Sequence, residues 1–429
     1  MPSSCRRPGS SAHHGLALGC LLLASHACSD SEPSQDSVLD SRIDSAGITI
    51  VTNSEATWTQ APVWRVGSTP RTVIGEGQFD EGQALLFAFS ATVLVDGRIV
   101  VANVGTLELR VFDRDGHYLN AIAREGPGPG ELRSLYGVKR LGRDSVIATG
   151  GGLAHIFDRN GVFVRRFQLH PPIPPGVTMQ SPGLLGVFDT GELLVSQRPR
   201  IPTDPDFVGP YRDTVVINIQ DSDGSPLREV GRSLGREKYR YREGRVGVGF
   251  TLDMPMPREV FVLASGRHIY RVSNEKYEIQ VRSPSGKLQM LIRKEHHRRP
   301  VHRRDMSAYR DHQRQRMLLA APERRQERFL DALVEALEDI EAPLEFPAIR
   351  DVRVDPEGCV WVHEYQPASG APDWTVFDPD GVILGRARLP DELTRYEQVY
   401  EIGRDYVLGR VLGEDAVEFI HVYALERSN

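Results

Sequence analysis

The sequence predicts an all-β protein: a six-bladed β-propeller of four-stranded antiparallel blades, closed by an N-terminal strand and carrying one helical insertion between blades 4 and 5. Three observations predict it. A Gly-containing turn between apolar runs recurs six times, a second turn rich in Asp, Asn and Gly follows five of these, and only one stretch shows helical periodicity.

Taken in order, the chain opens with Arg6 and Arg7, an apolar run from Gly15 to Ser25, and a small-residue exit at Ser25-His26-Ala27-Cys28. An eleven-residue apolar run is too short to span a bilayer and suits a secretory signal. Residues 1–27 are therefore expected to be a signal peptide and Cys28 a lipid attachment site. Residues 28–47, rich in Ser, Asp and Glu, are expected to be a flexible tether. Of the four cysteines, only Cys359 falls inside the expected domain, residues 48–425, so no disulfide is expected there. The reading is of an exported protein, periplasmic or at the cell surface, that meets the membrane only through its anchor. Hydrophobic content of 40%, charged content of 26% and a net charge of -6 fit a soluble globular domain and argue against bulk nucleic-acid binding.

The first turn of each repeat lies within residues 95–101, 141–147, 188–194, 263–269, 354–360 and 402–407. The second lies within 112–116, 157–161, 220–224, 282–286 and 377–381. From first glycine to second the gaps are 19, 19, 33, 20 and 23 residues, the signature of one four-stranded unit repeated, with strands A and B joined by the first turn and C and D by the second. The sixth unit ends after its third strand, near Leu425. A strand from the N-terminal side, Ile48–Thr52 or Val63–Val66, is expected to supply the fourth and so remove the open sheet edge.

Val111-Phe112-Asp113-Arg114-Asp115-Gly116-His117-Tyr118-Leu119, followed by Arg124-Glu125-Gly126-Pro127-Gly128-Pro129-Gly130-Glu131, resembles the bacterial six-bladed propeller lipoproteins related to NHL repeats. Trp361-Val362 after Asp355-Pro356-Glu357-Gly358, and the run Ile402 to Gly409, share that resemblance. It spans roughly residues 48–425 and implies the propeller fold but little about function, because that group is largely uncharacterised.

In an antiparallel blade the A–B and C–D turns share one face and the B–C and D–A connections the other. Every A–B and C–D turn here is tight, whereas the opposite face is expected to carry long loops at 124–135, 169–182, 198–212, 232–257 and 295–346. Long loops on a rigid scaffold are the usual place for function. The last holds the helical insertion, about residues 303–342, whose stripe Phe329, Leu333, Leu337 and Ile340 is expected to pack on the rim of the propeller. Two basic clusters share this face: Arg236, Lys238, Arg240, Arg242 and Arg245, and Arg293, Lys294, Arg298, Arg299, Arg303 and Arg304. Arg240, Arg242, Arg298 and Arg299 are read as candidate ligand contacts. Asn103, Arg198, Arg271, His363, Glu364 and Arg410, at strand ends of several blades, are candidates for the mouth of the central channel.

No zinc motif, nucleophile elbow or phosphate loop is present. The Asp-x-Asp-Gly turns lack the later ligands of a calcium loop and read as turn chemistry. No cofactor or metal is expected. Two functional readings follow: a binding scaffold that presents its loop-rich face to a protein, peptide or acidic glycan, or a metal-dependent lactonase- or lyase-type enzyme with its site in the channel.

Overall fold

The computed structural model describes residues 40–427, apart from 77–81, 144, 170–181, 199–206, 243–248, 321–325, 366–373, 395–397 and 414–416. The expected signal peptide, Cys28 and most of the tether lie outside the described residues. The chain begins with β1 (Ser41–Ser45), β2 (Ile48–Asn53), the short helix α1 (Glu55–Gln60), β3 (Val63–Val66) and β4 (Thr72–Ile74). Strand structure thus starts before residue 48, inside the segment expected to be tether.

Five four-stranded antiparallel units and a sixth of three strands follow. Blade 1 is β5 (Ala88–Val93), β6 (Ile99–Asn103), β7 (Glu108–Phe112) and β8 (Tyr118–Ala123). Blade 2 is β9 (Gly137–Leu141), β10 (Ser145–Gly150), β11 (Leu153–Asp158) and β12 (Phe163–Gln168). Blade 3 is β13 (Gly183–Val187), β14 (Leu193–Gln197), β15 (Gly209–Gln220) and β16 (Pro226–Arg242), extended by β17 (Gly249–Asp253). Blade 4 is β18 (Val260–Ser265), β19 (His268–Ser273), β20 (Glu278–Arg282) and β21 (Leu288–Lys294). Helices α2 (Arg303–Ala320) and α3 (Gln326–Asp339) precede blade 5, which is β22 (Ile349–Val354), β23 (Val360–Glu364), β24 (Trp374–Phe377) and β25 (Ile383–Ala387). After α4 (Asp391–Thr394), blade 6 has β26 (Val399–Ile402), β27 (Tyr406–Leu412) and β28 (Glu418–Glu426). The innermost strands β5, β9, β13, β18, β22 and β26 each touch the next, and β26 touches β5 again, so the ring is complete.

The recurring Asp-x-x-Gly turns have a mechanical cause. In each, the leading aspartate turns its carboxylate back onto the backbone: Asp113 Oδ1 accepts from the amides of Asp115 and His117, each at 2.9 Å, and Asp355 Oδ1 from those of Glu357 and Cys359. The glycine takes a positive φ, +93° at Gly116 and +83° at Gly358 and Gly381, which side chains disfavour. Apolar residues alternate along the strands and bury between blades, giving six clusters, one at each blade interface.

The closing edge of blade 6 is mainly β4, outside both expected segments, although the end of Val63–Val66 also pairs with β28. Thr72, Val73 and Ile74 pair with Val422, His421 and Ile420 as the fourth strand of blade 6, and Ile74 is fully buried between blades 6 and 1. Thr72 Oγ1 donates to Arg114 O at 2.7 Å, tying the closure to a turn of blade 1. Ile48–Asn53 instead runs parallel to β21 on the edge of blade 4, and β3 runs parallel to β25 of blade 5, with Val66 opposite Leu425 at its end. Three blades offer similar apolar edges, and the alternation of apolar residues does not say which edge a strand meets.

Candidate functional site

The segment 232–257, expected to be a loop, is largely sheet. β15 and β16 continue past the blade as a ribbon: Gly209–Arg212 pairs with Glu237–Arg240, and Lys238–Arg242 pairs with β17. Arg240 and Arg242 are therefore strand residues, opposite Thr251 and Gly249. Tyr239, Tyr241 and Leu252 bury against Leu333, Leu337 and Ile340 of the α3 region, so the ribbon and the helical insertion form one lobe. The Tyr241 hydroxyl donates to Glu335 Oε2 at 2.5 Å and that of Tyr309 to Asp253 O at 2.6 Å. The apolar stripe is thus a packing surface; the side chain of Phe329 lies outside those described.

Many of the cations are engaged internally. Arg236 meets Glu259 at 2.9 Å, Lys238 meets Asp213 at 3.6 Å, Arg293 meets Glu278 at 2.9 Å and Arg298 meets Glu345 at 2.9 Å. Arg299 lies 3.4 Å from Asp305 and stacks at 3.4 Å on the ring of Phe346. Arg242 is half-buried. Different cations are left over. Arg303 and Arg304, in the first turn of α2, are exposed and make no ion pair among the described residues, and half-buried Arg240 makes none either. The sequence placed Arg303 and Arg304 in a basic run but did not separate them from paired neighbours, since ion pairing is set by folding.

The residues expected at the channel mouth sit in different settings. Asn103 is buried: its Oδ1 accepts from Leu86 N at 2.7 Å and its Nδ2 donates to Thr106 Oγ1 at 2.8 Å, so it holds two connections together. Arg198 is half-buried at the end of blade 3. Arg271 sits within β19, opposite Val262 and Gln280, where burial and the charge of Arg282 lower its pKa. Arg410 bonds Glu418 at 2.6 Å and lies over the Phe89 ring. His363 is buried and stacked on Trp374, with centroids 4.8 Å apart.

Glu364 anchors a buried knot between blades 4 and 5. It accepts from the Tyr277 hydroxyl at 2.6 Å, the Thr375 hydroxyl at 2.5 Å and Lys294 Nζ at 3.2 Å. Burial, then the Glu364 carboxylate, pushes the Tyr277 phenol well above its ordinary range. Lys294 also faces the rings of Trp58 and Tyr277 at 4.8 and 5.1 Å, and Trp58 Nε1 donates to Thr375 Oγ1, which pins α1 across both blades. Glu364, Tyr277, Thr375 and Lys294 thus satisfy one another, while His296, its ring 6.1 Å from that of Tyr277, has a buried Nε2 with no hydrogen-bond partner among the described residues.

Among the described residues, one trio has metal-ligand types in reach of one another: Asp113, Asp115 and His117. It lies on the C–D turn of blade 1, on the tight-turn side, and Asp113 is already occupied with the turn amides. Also among the described residues, no helix is long and apolar enough to cross a membrane.

The fold defines a class, the β-propellers, with one lobe added to its loop-rich face. Residues 83–137 match the model of a family, DUF5128, described as a 6-bladed beta-propeller. No curated protein matches the chain. Among solved structures, a protein of Bacteroides fragilis described as exported is similar at 11% identity, covering 89% of this chain and 100% of the other, with a TM-score of 0.45. A DUF4221 member from Bacteroides vulgatus is similar at 9% identity, covering 86% and 100%, with a TM-score of 0.43. A gluconolactonase from Xanthomonas campestris is similar at 13% identity, covering 85% and 98%, with a TM-score of 0.38. At these levels no activity carries over to this chain.

Proposed function

We propose that this chain is an exported propeller, anchored through a lipid on Cys28, that binds an acidic polysaccharide or peptide through the lobe on its loop-rich face. The observation that carries the reading is the pair Arg303 and Arg304, exposed in the first turn of α2 with no ion pair among the described residues. Cations at a helix N-terminus oppose the macrodipole and cost about 0.3–1 kcal/mol each. Two such positions are better suited to an anionic partner than to the stability of the helix. The rigid packing of α3 on the ribbon supplies a fixed platform for them.

An array of acidic and neutral glycans and peptides, probed with the folded chain, tests this directly. Binding is expected to favour acidic ligands, to weaken with salt because exposed charges are screened over about 8 Å at physiological ionic strength, and to be lost in Arg303→Glu/Arg304→Glu. Equal retention of neutral ligands, or binding unchanged by the double reversal, would refute the lobe as the site. The anchor is tested separately: a labelled fatty acid should tag the wild type and not Cys28→Ala.

A further inference from the structure

Strand β15 carries two amides into the seam between blades 2 and 3. Asn218 lies opposite Val195 and Gln220 opposite Leu193, and directly opposed residues share one face of a sheet. Val195 and Leu193 pack with Ile147, Ala154 and Ile156 of blade 2, so both amides enter an otherwise apolar cluster. Each is 0% exposed. The turn end of the seam is shut, because a Cβ on Gly224 of blade 3 would come within 2.3 Å of the Phe167 ring and 2.4 Å of Gln168 O on β12.

Other blades show what these two places hold. The residue just before the C–D turn is Phe112 in blade 1, Phe157 in blade 2 and Phe377 in blade 5, each fully buried; in blade 3 it is Gln220. Two residues earlier, Arg110 of blade 1 donates to the carbonyls of Gly82 and Ala84, and Thr375 of blade 5 donates to Glu364, so a polar side chain there is answered by protein groups. Asn218 occupies that place in blade 3. Its Oδ1 and Nδ2, and the Oε1 and Nε2 of Gln220, are all buried, and none has a hydrogen-bond partner among the described residues. A buried amide left so carries its full desolvation penalty, and each such group in a folded protein calls for a partner.

We propose that the seam between blades 2 and 3 is an internal binding site for ordered water, held by the side-chain amides of Asn218 and Gln220. The chemistry selects the occupant. Two amides offer donors and acceptors together and no charge, which suits a small neutral molecule able to do both. A glutamine is slimmer than the phenylalanine that fills the same place in three other blades, and the closed turn end favours a molecule as small as water. Residues two apart on a strand are about 6.6 Å apart, a gap that a water bridges between two side chains. The site is separate from the lobe and stands whether or not the lobe binds an anion.

A crystal structure of the chain, fine enough to resolve ordered water, tests this on the wild type, where no variant has to fold. Solvent density is expected within about 3.2 Å of an amide atom of Asn218 and of Gln220. Gln220→Phe, which installs the residue of blades 1, 2 and 5, is expected to displace the solvent bound to Gln220 and leave the blade intact. Amides that bond only to protein groups, a seam without ordered solvent, or solvent unmoved in Gln220→Phe would overturn the proposal.

Discussion

The ammonium of Lys294 lies 3.2 Å from the carboxylate of Glu364, and each side chain is only 4% exposed. Removing one member of such a pair strands a buried charge, which costs about 3–5 kcal/mol. Lys294→Met is expected to fall in that range. Lys294→Met/Glu364→Gln should lose less than the sum of the single losses, with a coupling of about 0.5–3 kcal/mol. Urea unfolding of the four proteins measures it, and strictly additive losses would show that the pair is not coupled.

Closure by β4 makes Ile74 far more important than its place in a three-residue strand implies. Ile74→Ala should cost about 2–5 kcal/mol, because the side chain is fully buried between the last blade and the first. Ile43 on β1 is 55% exposed, and Ile43→Ala should change stability by less than about 0.5 kcal/mol. If the two variants unfold at the same urea concentration, the ring is held elsewhere.

The lobe is held by its own apolar cluster, so it should be separable from the blades. Leu333→Asp places a charge in a fully buried position and is expected to melt α3 away from Tyr239 and Tyr241. Far-UV circular dichroism should lose helical signal while the near-UV signal of buried Trp361 and Trp374 persists. Loss of both together would mean that lobe and propeller fold as one unit.

Three histidines set an acid limit. Burial holds His155, His296 and His421 below their usual value of about 6.5. The folded state therefore binds fewer protons than the unfolded one, and stability falls as the pH drops below that value. The urea midpoint should decline between about pH 7 and pH 5.5, above the carboxylate range. His155→Phe, which fills the site beside Phe163 without a titrating group, should flatten that slope. An unchanged slope would assign the loss to other groups.

Much of this protein is written locally. The Asp-x-x-Gly turns, their spacing and the alternation between them declare blades, because an aspartate capping its own turn and a glycine at positive φ act within five residues. The helical insertion was legible from the spacing of Leu333, Leu337 and Ile340 for the same reason. Tyr239 and Tyr241 alternating with Lys238, Arg240 and Arg242 is also a period-two signal, but the density of charge made the segment read as a loop. It is a ribbon because α3, nearly a hundred residues further on, covers its tyrosine side.

What the sequence determined by itself is the unit: how strands turn back, which side chains alternate, and that one blade lacks its fourth strand. Only the tertiary structure decided the rest, because it depends on contacts between residues far apart in the chain. Ile74 pairs with Ile420 on the last strand, and carboxylates from other elements neutralise some arginines of a basic run and leave Arg303 and Arg304. Charge pairing and ring closure are properties of distance in space, and a linear pattern carries no such distances.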